Sequence, residues 1–164
     1  MIIVSDTTPI SELTKVGKLD LLPQLFGIVV IPQAVFDELS VGNHPAAKIV
    51  ADLTWLEVKT VANQQLVSML QELLYLDLGE SEAIALAEEL GADQLLIDER
   101  AARRVAADRK LSLIGTMGVL LLAKRQQLLG EIKPVLDEMR KQGTRISDRL
   151  YEKVLTLAEE REEI

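Results

Sequence analysis

Five short strand-like segments, Ile2–Ser5, Ile28–Ile31, Trp55–Lys59, Gln94–Asp98 and Leu111–Gly115, are separated by stretches of helical period. Segments of this length, rich in Ile, Val and Leu, are too short to be helices and read as buried strands. Strands that alternate with helices join through crossovers rather than hairpins, so the pattern predicts a parallel sheet with helices on both faces. Neither an internal repeat nor a low-complexity linker interrupts it, and 164 residues suffice for one substantial core.

The helical stretches have readable ends. Pro32 opens one of them from the first-turn position that proline favours, and Val35, Phe36 and Leu39 give it an apolar side. Asn43-His44-Pro45 breaks that stretch, and Ala46–Leu53 reads as a further short helix. Gln64–Leu76 is amphipathic. Asp77-Leu78-Gly79 punctuates before Glu80–Leu90, which Gly91 closes. Glu99–Arg109, Met117–Leu128, Ile132–Gln142 and Ser147–Glu162 complete the set, and the charged run from Glu159 to Glu163 reads as a solvated, frayed end.

Composition narrows the chemistry. The chain has no Cys and a single His, His44, which excludes disulfides, thiol chemistry and Cys-ligated zinc. Catalysis, if there is any, rests on carboxylates, lysines, arginines or hydroxyls. The net charge of −8 argues against a protein that coats nucleic acid electrostatically, but is compatible with cations held in an acidic pocket. The leading Met runs straight into a strand, and no later apolar run is long enough to span a bilayer, so a cytoplasmic protein without a membrane role is expected.

In parallel sheets flanked by helices, ligands gather beyond the carboxyl ends of the strands. Asp6 ends the first strand and Asp98 the fourth, each open to two readings: helix cap or ligand. Glu38 lies about two turns into the helix after the second strand. On a helical wheel, Ala83, Ile84, Leu86, Ala87 and Leu90 define the inward face of Glu80–Leu90, and Glu80 lies roughly 50° from its centre. Glu82 falls at the edge of that face, so a regular helix aims Glu80 inward in preference to Glu82. Its position in the first turn also suits the helix dipole. Clustered carboxylates are costly without a counter-charge, and an all-oxygen donor set suits Mg²⁺ or Mn²⁺.

The stretches SDTTPIS, IPQAVFDEL, LGESEAIALAEELGAD, LLIDERAAR and IGTMGVLLLAKRQQLL, in that order, resemble the PIN-domain nuclease superfamily. Within it they are most similar to the bacterial and archaeal PIN proteins described as predicted nucleic-acid-binding proteins. KPVLDEMRKQG and ISDRLYEKVL resemble that subgroup's tail, so the likeness spans nearly the whole chain. It implies a three-layer α/β/α sandwich around a parallel, roughly five-stranded sheet. It also implies a single domain over residues 1–164 with a C-terminal helical extension from about residue 131.

The resemblance further implies an acid cluster binding one or two Mg²⁺ or Mn²⁺ ions. By motif, the acids are Asp6, Glu38, Glu80 and Asp98, with Glu82 as an auxiliary ligand like the second acid of the GExEA-like stretch in related flap-type nucleases. Many relatives carry Thr two residues before the fourth acid and another acid two residues after it. Here these positions are Leu96 and Arg100, which leaves single-metal occupancy, weaker binding or substitution by Glu99 open.

The activity so implied is metal-dependent hydrolysis of phosphodiesters, of RNA first, with DNA not excluded. Thr7, Thr8 and Thr116 are either hydroxyls that orient the site or simply turn residues, and Arg100, Arg103 and Arg104 form the nearest basic strip, with Lys124 and Arg125 behind it. A cognate antitoxin and homodimerisation are partners known in the family, and Leu120, Leu121 and Leu122 offer apolar surface for the latter. The competing class is a non-catalytic PIN-like module that binds nucleic acid or protein. A receiver-like phospho-acceptor domain would need paired acids after the first strand and a Lys after the fifth, and SDTTP and IGTMG supply neither.

Overall fold

The computed structural model describes residues 1–161. In chain order the elements begin with β1 (Ile3–Ser5), α1 (Thr7–Lys15), α2 (Leu21–Phe26), β2 (Val29–Pro32) and α3 (Gln33–Leu39). A 3₁₀ turn at Val50–Asp52 leads to β3 (Leu56–Lys59), α4 (Gln64–Glu72), α5 (Leu78–Leu90) and β4 (Gln94–Leu96). The remainder is α6 (Arg100–Asp108), β5 (Leu113–Ile114), α7 (Thr116–Arg125), α8 (Lys133–Lys141) and α9 (Asp148–Leu157).

The strands form one parallel sheet in the order β3-β2-β1-β4-β5. Side chains alternate across it as strand geometry requires. Ile3, Val29, Ile31 and Leu96 face one core with residues of α1, α2, α7, α8 and α9. Val4, Val30, Leu95 and Ile97 face the other, against α4, α5 and α6. The result is a three-layer α/β/α arrangement whose central strands are buried on both faces. Truncating a fully buried side chain such as Ile3 or Ile97 to Ala costs about 2–5 kcal/mol.

The order reverses at β1: the chain first builds outward to β2 and β3, then returns to place β4 and β5 on the other side. Crossovers therefore diverge between the carboxyl ends of β1 and β4, the crevice where such sheets bind ligands. The Asp6 N–H donates to the Leu96 carbonyl at 2.9 Å and ties the two strand ends together there.

Several boundaries differ from expectation. Pro32 is the last residue of β2, in register with Lys59, and its extended ψ of 164° places it before α3 rather than inside it. Only a 3₁₀ turn forms within Ala46–Leu53. The helix expected from Glu80 starts at Leu78, because Asp77 and Glu80 make a reciprocal capping box. The last helix ends at Leu157, and Glu162 and Glu163 lie outside the described residues. Leu120 is fully buried, and Leu121 and Leu122 are half-buried. The most exposed apolar side chains within the fold lie instead between α4 and α5, at Leu73 and Tyr75. Among the described residues no helix is long and apolar enough to cross a membrane.

Candidate functional site

Asp6 occupies the N-cap position of α1 with extended backbone, yet its side chain makes no capping hydrogen bond. The cap reading therefore fails for this residue. The side chain is 4% exposed, and burial pushes its carboxyl up to about 7. The Thr7 backbone N–H works against that shift, while the charges of Asp77, Glu80 and Glu38 add to it. A carboxylate so placed costs free energy unless protonated or matched by a cation.

Three elements bring these acids together. Glu38 is the solvent-side neighbour of the core residue Leu39 on α3, and the Thr7 hydroxyl donates to its Oε2 at 2.9 Å. Glu80 sits in the first turn of α5, where burial and the charges of Asp77, Glu99 and Glu38 raise its carboxyl against the Asp77 N–H. Between them lies Gly79, whose missing side chain is a condition of the geometry. A Cβ there would stand 3.1 Å from Glu38 Oε2, 3.6 Å from Asp6 Oδ1 and 3.6 Å from Asp77 Oδ1. Three carboxylates thus lean over one backbone point. Among the described residues no three acidic or imidazole side chains form a finished cation cage. Like charge opposes closer approach.

The other expected acids have different employment. Asp98 does not cap the helix that follows it; Glu99 does, accepting from Ala101 N–H at 3.5 Å. Asp98 instead reaches across to α7, where Thr116 donates its backbone N–H to Oδ1 at 2.7 Å and its hydroxyl to Oδ2 at 2.5 Å. Thr7 and Thr116 are thus equivalent devices: each is the first residue of a helix after a strand and fixes one acid from a neighbouring segment. Thr8 is exposed at the same turn. Glu82 turns to α3, accepting the otherwise orphaned Ala34 N–H at 3.1 Å, because the helix leaves that donor unpaired. It stands at a helix end rather than over Gly79.

One acid of this neighbourhood was hidden in the sequence. Asp77 reads as helix punctuation, although the D-x-x-E spacing of Asp77 and Glu80 is a capping-box signal. Glu99, a candidate substitute ligand by sequence, caps α6, and its charge reaches Glu80. The basic strip also changes. Arg103 is half-buried, with Nη1 donating to the Ile97 carbonyl at 2.7 Å, while Arg100 and Arg104 are exposed. Lys124 and Arg125 are removed from it: α7 starts beside Asp98 and carries them about 12 Å away along its axis. Lys124 is there engaged by Glu160 at 2.9 Å.

All-oxygen donors on a like-charged cluster around the buried Asp6 suit Mg²⁺ or Mn²⁺ and give no foothold to thiophilic metals. The residues therefore fit a hard divalent cation in donor chemistry and in charge. A family model described as DUF3368, a PIN domain, matches residues 2–160. Comparison with curated proteins and with solved structures found no match.

Proposed function

Because this chain belongs to the PIN-domain family, a nuclease-type fold, we propose that it is a divalent-metal-dependent endoribonuclease. The observation that carries the reading is Asp6: a carboxyl buried at the strand switch point, without a capping bond, amid three further acids. Structural carboxylates are normally buried with their partners. This one is buried with its competitors, which favours a role that is completed by a cation.

In this proposal Asp6, Glu38 and Glu80 would hold the ion, with Asp98 beyond the end of the adjacent strand, Asp77 beside them over Gly79 and Glu99 within electrostatic reach of Glu80. Glu82 is left out because α3 occupies it. A divalent cation held there supplies a Lewis acid for the phosphate and acidifies the attacking water. Thr7 keeps Glu38 in one rotamer, and Thr116 does the same for Asp98 with two donors. Prefixed orientation of this kind is what lets charged groups act without reorganising during the reaction. Arg103, anchored on Ile97, presents its remaining N–H donors towards an incoming phosphate.

The second reading, a non-catalytic module that binds nucleic acid or protein, is favoured by one observation: Thr116 already holds both oxygens of Asp98. Incubating the protein with mixed RNA in Mg²⁺, Mn²⁺ or EDTA separates the two. The nuclease reading expects cleavage that EDTA stops and that Asp6→Asn reduces by about 10³-fold or more, as for loss of a central electrostatic group. Cleavage that persists through EDTA and Asp6→Asn overturns the metal mechanism; RNA binding with no cleavage in either metal selects the module. Growth arrest on expression, relieved by a co-encoded partner, would make it the toxin of a toxin–antitoxin pair.

A further inference from the structure

Asp98 has a second neighbourhood, away from the acids over Gly79. Along the edge strand β5 runs an open-sided cleft of about 390 Å³, lined by Asp98, Arg103, Ile114, Met117, Gly118 and Leu150 among others. Its volume falls in the range of small-ligand sites. Four segments meet there: the strand end after β4, the helix α6, the β5–α7 turn, and the start of α9. Leu150 thus brings the C-terminal helix α9 to this cleft.

Two glycines set the shape of the cleft. At Gly115 a Cβ would stand 2.8 Å from Asp98 Oδ1 and 3.1 Å from Arg103 Nη1, so only glycine lets these two groups meet over the turn. At Gly118 a Cβ would stand 2.8 Å from Ile114 Cγ1, so the helix lies directly on the strand and the floor is backbone and apolar side chain.

The chemistry of the lining is mixed in a particular way. Arg103 spends one N–H on Ile97 and, among the described residues, forms no close ion pair, although the Asp98 carboxylate stands beside it across Gly115. Its guanidinium is thereby oriented with N–H donors left over, which suits an anion with paired oxygens. Opposite it, Met117, Ile114 and Leu150 present apolar faces, and Leu150 leaves 39% of its surface in solvent. A free phosphate would leave those faces wet. An apolar peptide would leave the guanidinium unmatched. A nucleoside carrying its phosphate satisfies both, with the base against Met117 and Leu150 and the phosphate at Arg103.

We propose that this cleft is a nucleoside subsite for an unpaired nucleotide of the substrate strand, flanking the phosphate at the acidic site, and that Leu150 helps select its base. An unstacked base is what single-strand recognition exposes to apolar side chains. The inference rests on the nucleic-acid reading above, and its test can fail separately from it.

The probe is the ε-methyl group of Met117, one of four methionines in the chain, labelled with ¹³C and assigned through Met117→Leu. Titration of the full chain with AMP, CMP, GMP and UMP in EDTA should move the Met117 resonance, one base more strongly than the rest, and leave Met69 unmoved. Leu150→Ala, which removes the apolar contact from a partly exposed position, should weaken that nucleotide by about tenfold, as expected for loss of one base contact. It should also redistribute the bases found at RNA cut sites, while Leu73→Ala, at a more exposed leucine elsewhere, should do neither. A Met117 methyl that no nucleotide moves, or one moved only by an apolar peptide, overturns the subsite. So does a Leu150→Ala protein of unchanged melting temperature that binds and cuts like the parent. If RNA is cut in Mg²⁺ while the methyl stays still, the nuclease reading survives and the subsite falls. If nucleotides move the methyl in a protein that cuts nothing, the subsite survives and the nuclease reading falls.

Discussion

Asp6 and Glu160 are carboxylates placed to opposite ends. Glu160 follows α9 and accepts Lys124 Nζ at 2.9 Å, Ile132 N–H at 2.8 Å and Lys133 N–H at 3.0 Å. Burial alone would raise its carboxyl, but these donors outweigh burial and lower it. It closes the start of α8 and pins α9 to α7, so its charge is used up by the fold. Asp6 is buried without an equivalent set of donors, and its nearest charges are of its own sign. The contrast shows that burial of an acid is no sign of function by itself; the inventory of partners is what separates a fastener from a site.

Four substitutions test that contrast. Glu160→Ala should have the largest effect on stability, a loss of about 3 kcal/mol in urea unfolding, because it strands Lys124 and two helix N–H donors. A loss below about 1 kcal/mol would show that the latch is ornamental.

Asp6→Asn should act with the opposite sign. In the unfolded chain Asp6 ionises near 3.8, whereas in the native protein it does so at about 7. The native state thus holds the extra proton between these values, and its stability falls as pH rises through that window. In EDTA at pH 8, Asp6→Asn should therefore be more stable than the parent by about 2 kcal/mol. The advantage should disappear near pH 4. Equal pH profiles for the two proteins would contradict the assigned environment of Asp6.

Thr116→Val removes one of the two donors to Asp98 in a buried setting and should cost about 1–2 kcal/mol, read by thermal unfolding. Thr116→Ser should restore most of it. The smallest effect belongs to an exposed pair. Arg109 forms a forked contact with Glu88 at 2.6 and 2.8 Å, yet both side chains are solvated. Arg109→Ala should cost no more than about 0.5–1 kcal/mol and less still in 1 M salt, which places this pair below Glu160 despite its shorter distances.

Much of the architecture was legible because its signals are local. The β-branched run Ile2-Ile3-Val4, the VVI of β2 and the LLI after Gln94 each announce a strand buried on both faces, and all five strands form where their apolar runs lie. The wheel over Glu80–Leu90 correctly placed Ala83, Ile84, Leu86 and Ala87 inside. What the sequence did not show concerns residues held by a distant partner. Glu82 is claimed by Ala34, Asp98 by Thr116 and Lys124 by Glu160, at separations of 48, 18 and 36 residues. The α2 helix (Leu21–Phe26) was not anticipated, since six residues with a central proline carry too little periodicity to stand out.

The sequence by itself determined which acids the chain has to offer, the strands that carry two of them, and the absence of any thiol or paired histidine to compete with them. Periodicity and composition suffice for that, because secondary structure and donor chemistry depend on neighbours along the chain. Only the tertiary structure decided that Asp6 is no cap, that Asp77 stands with it, that Gly79 makes room for three carboxylates, and that Leu150 reaches the edge beside Asp98 from the far end of the chain. Those facts depend on which hydrogen-bond donors and charges meet across the fold, and no local pattern encodes that meeting.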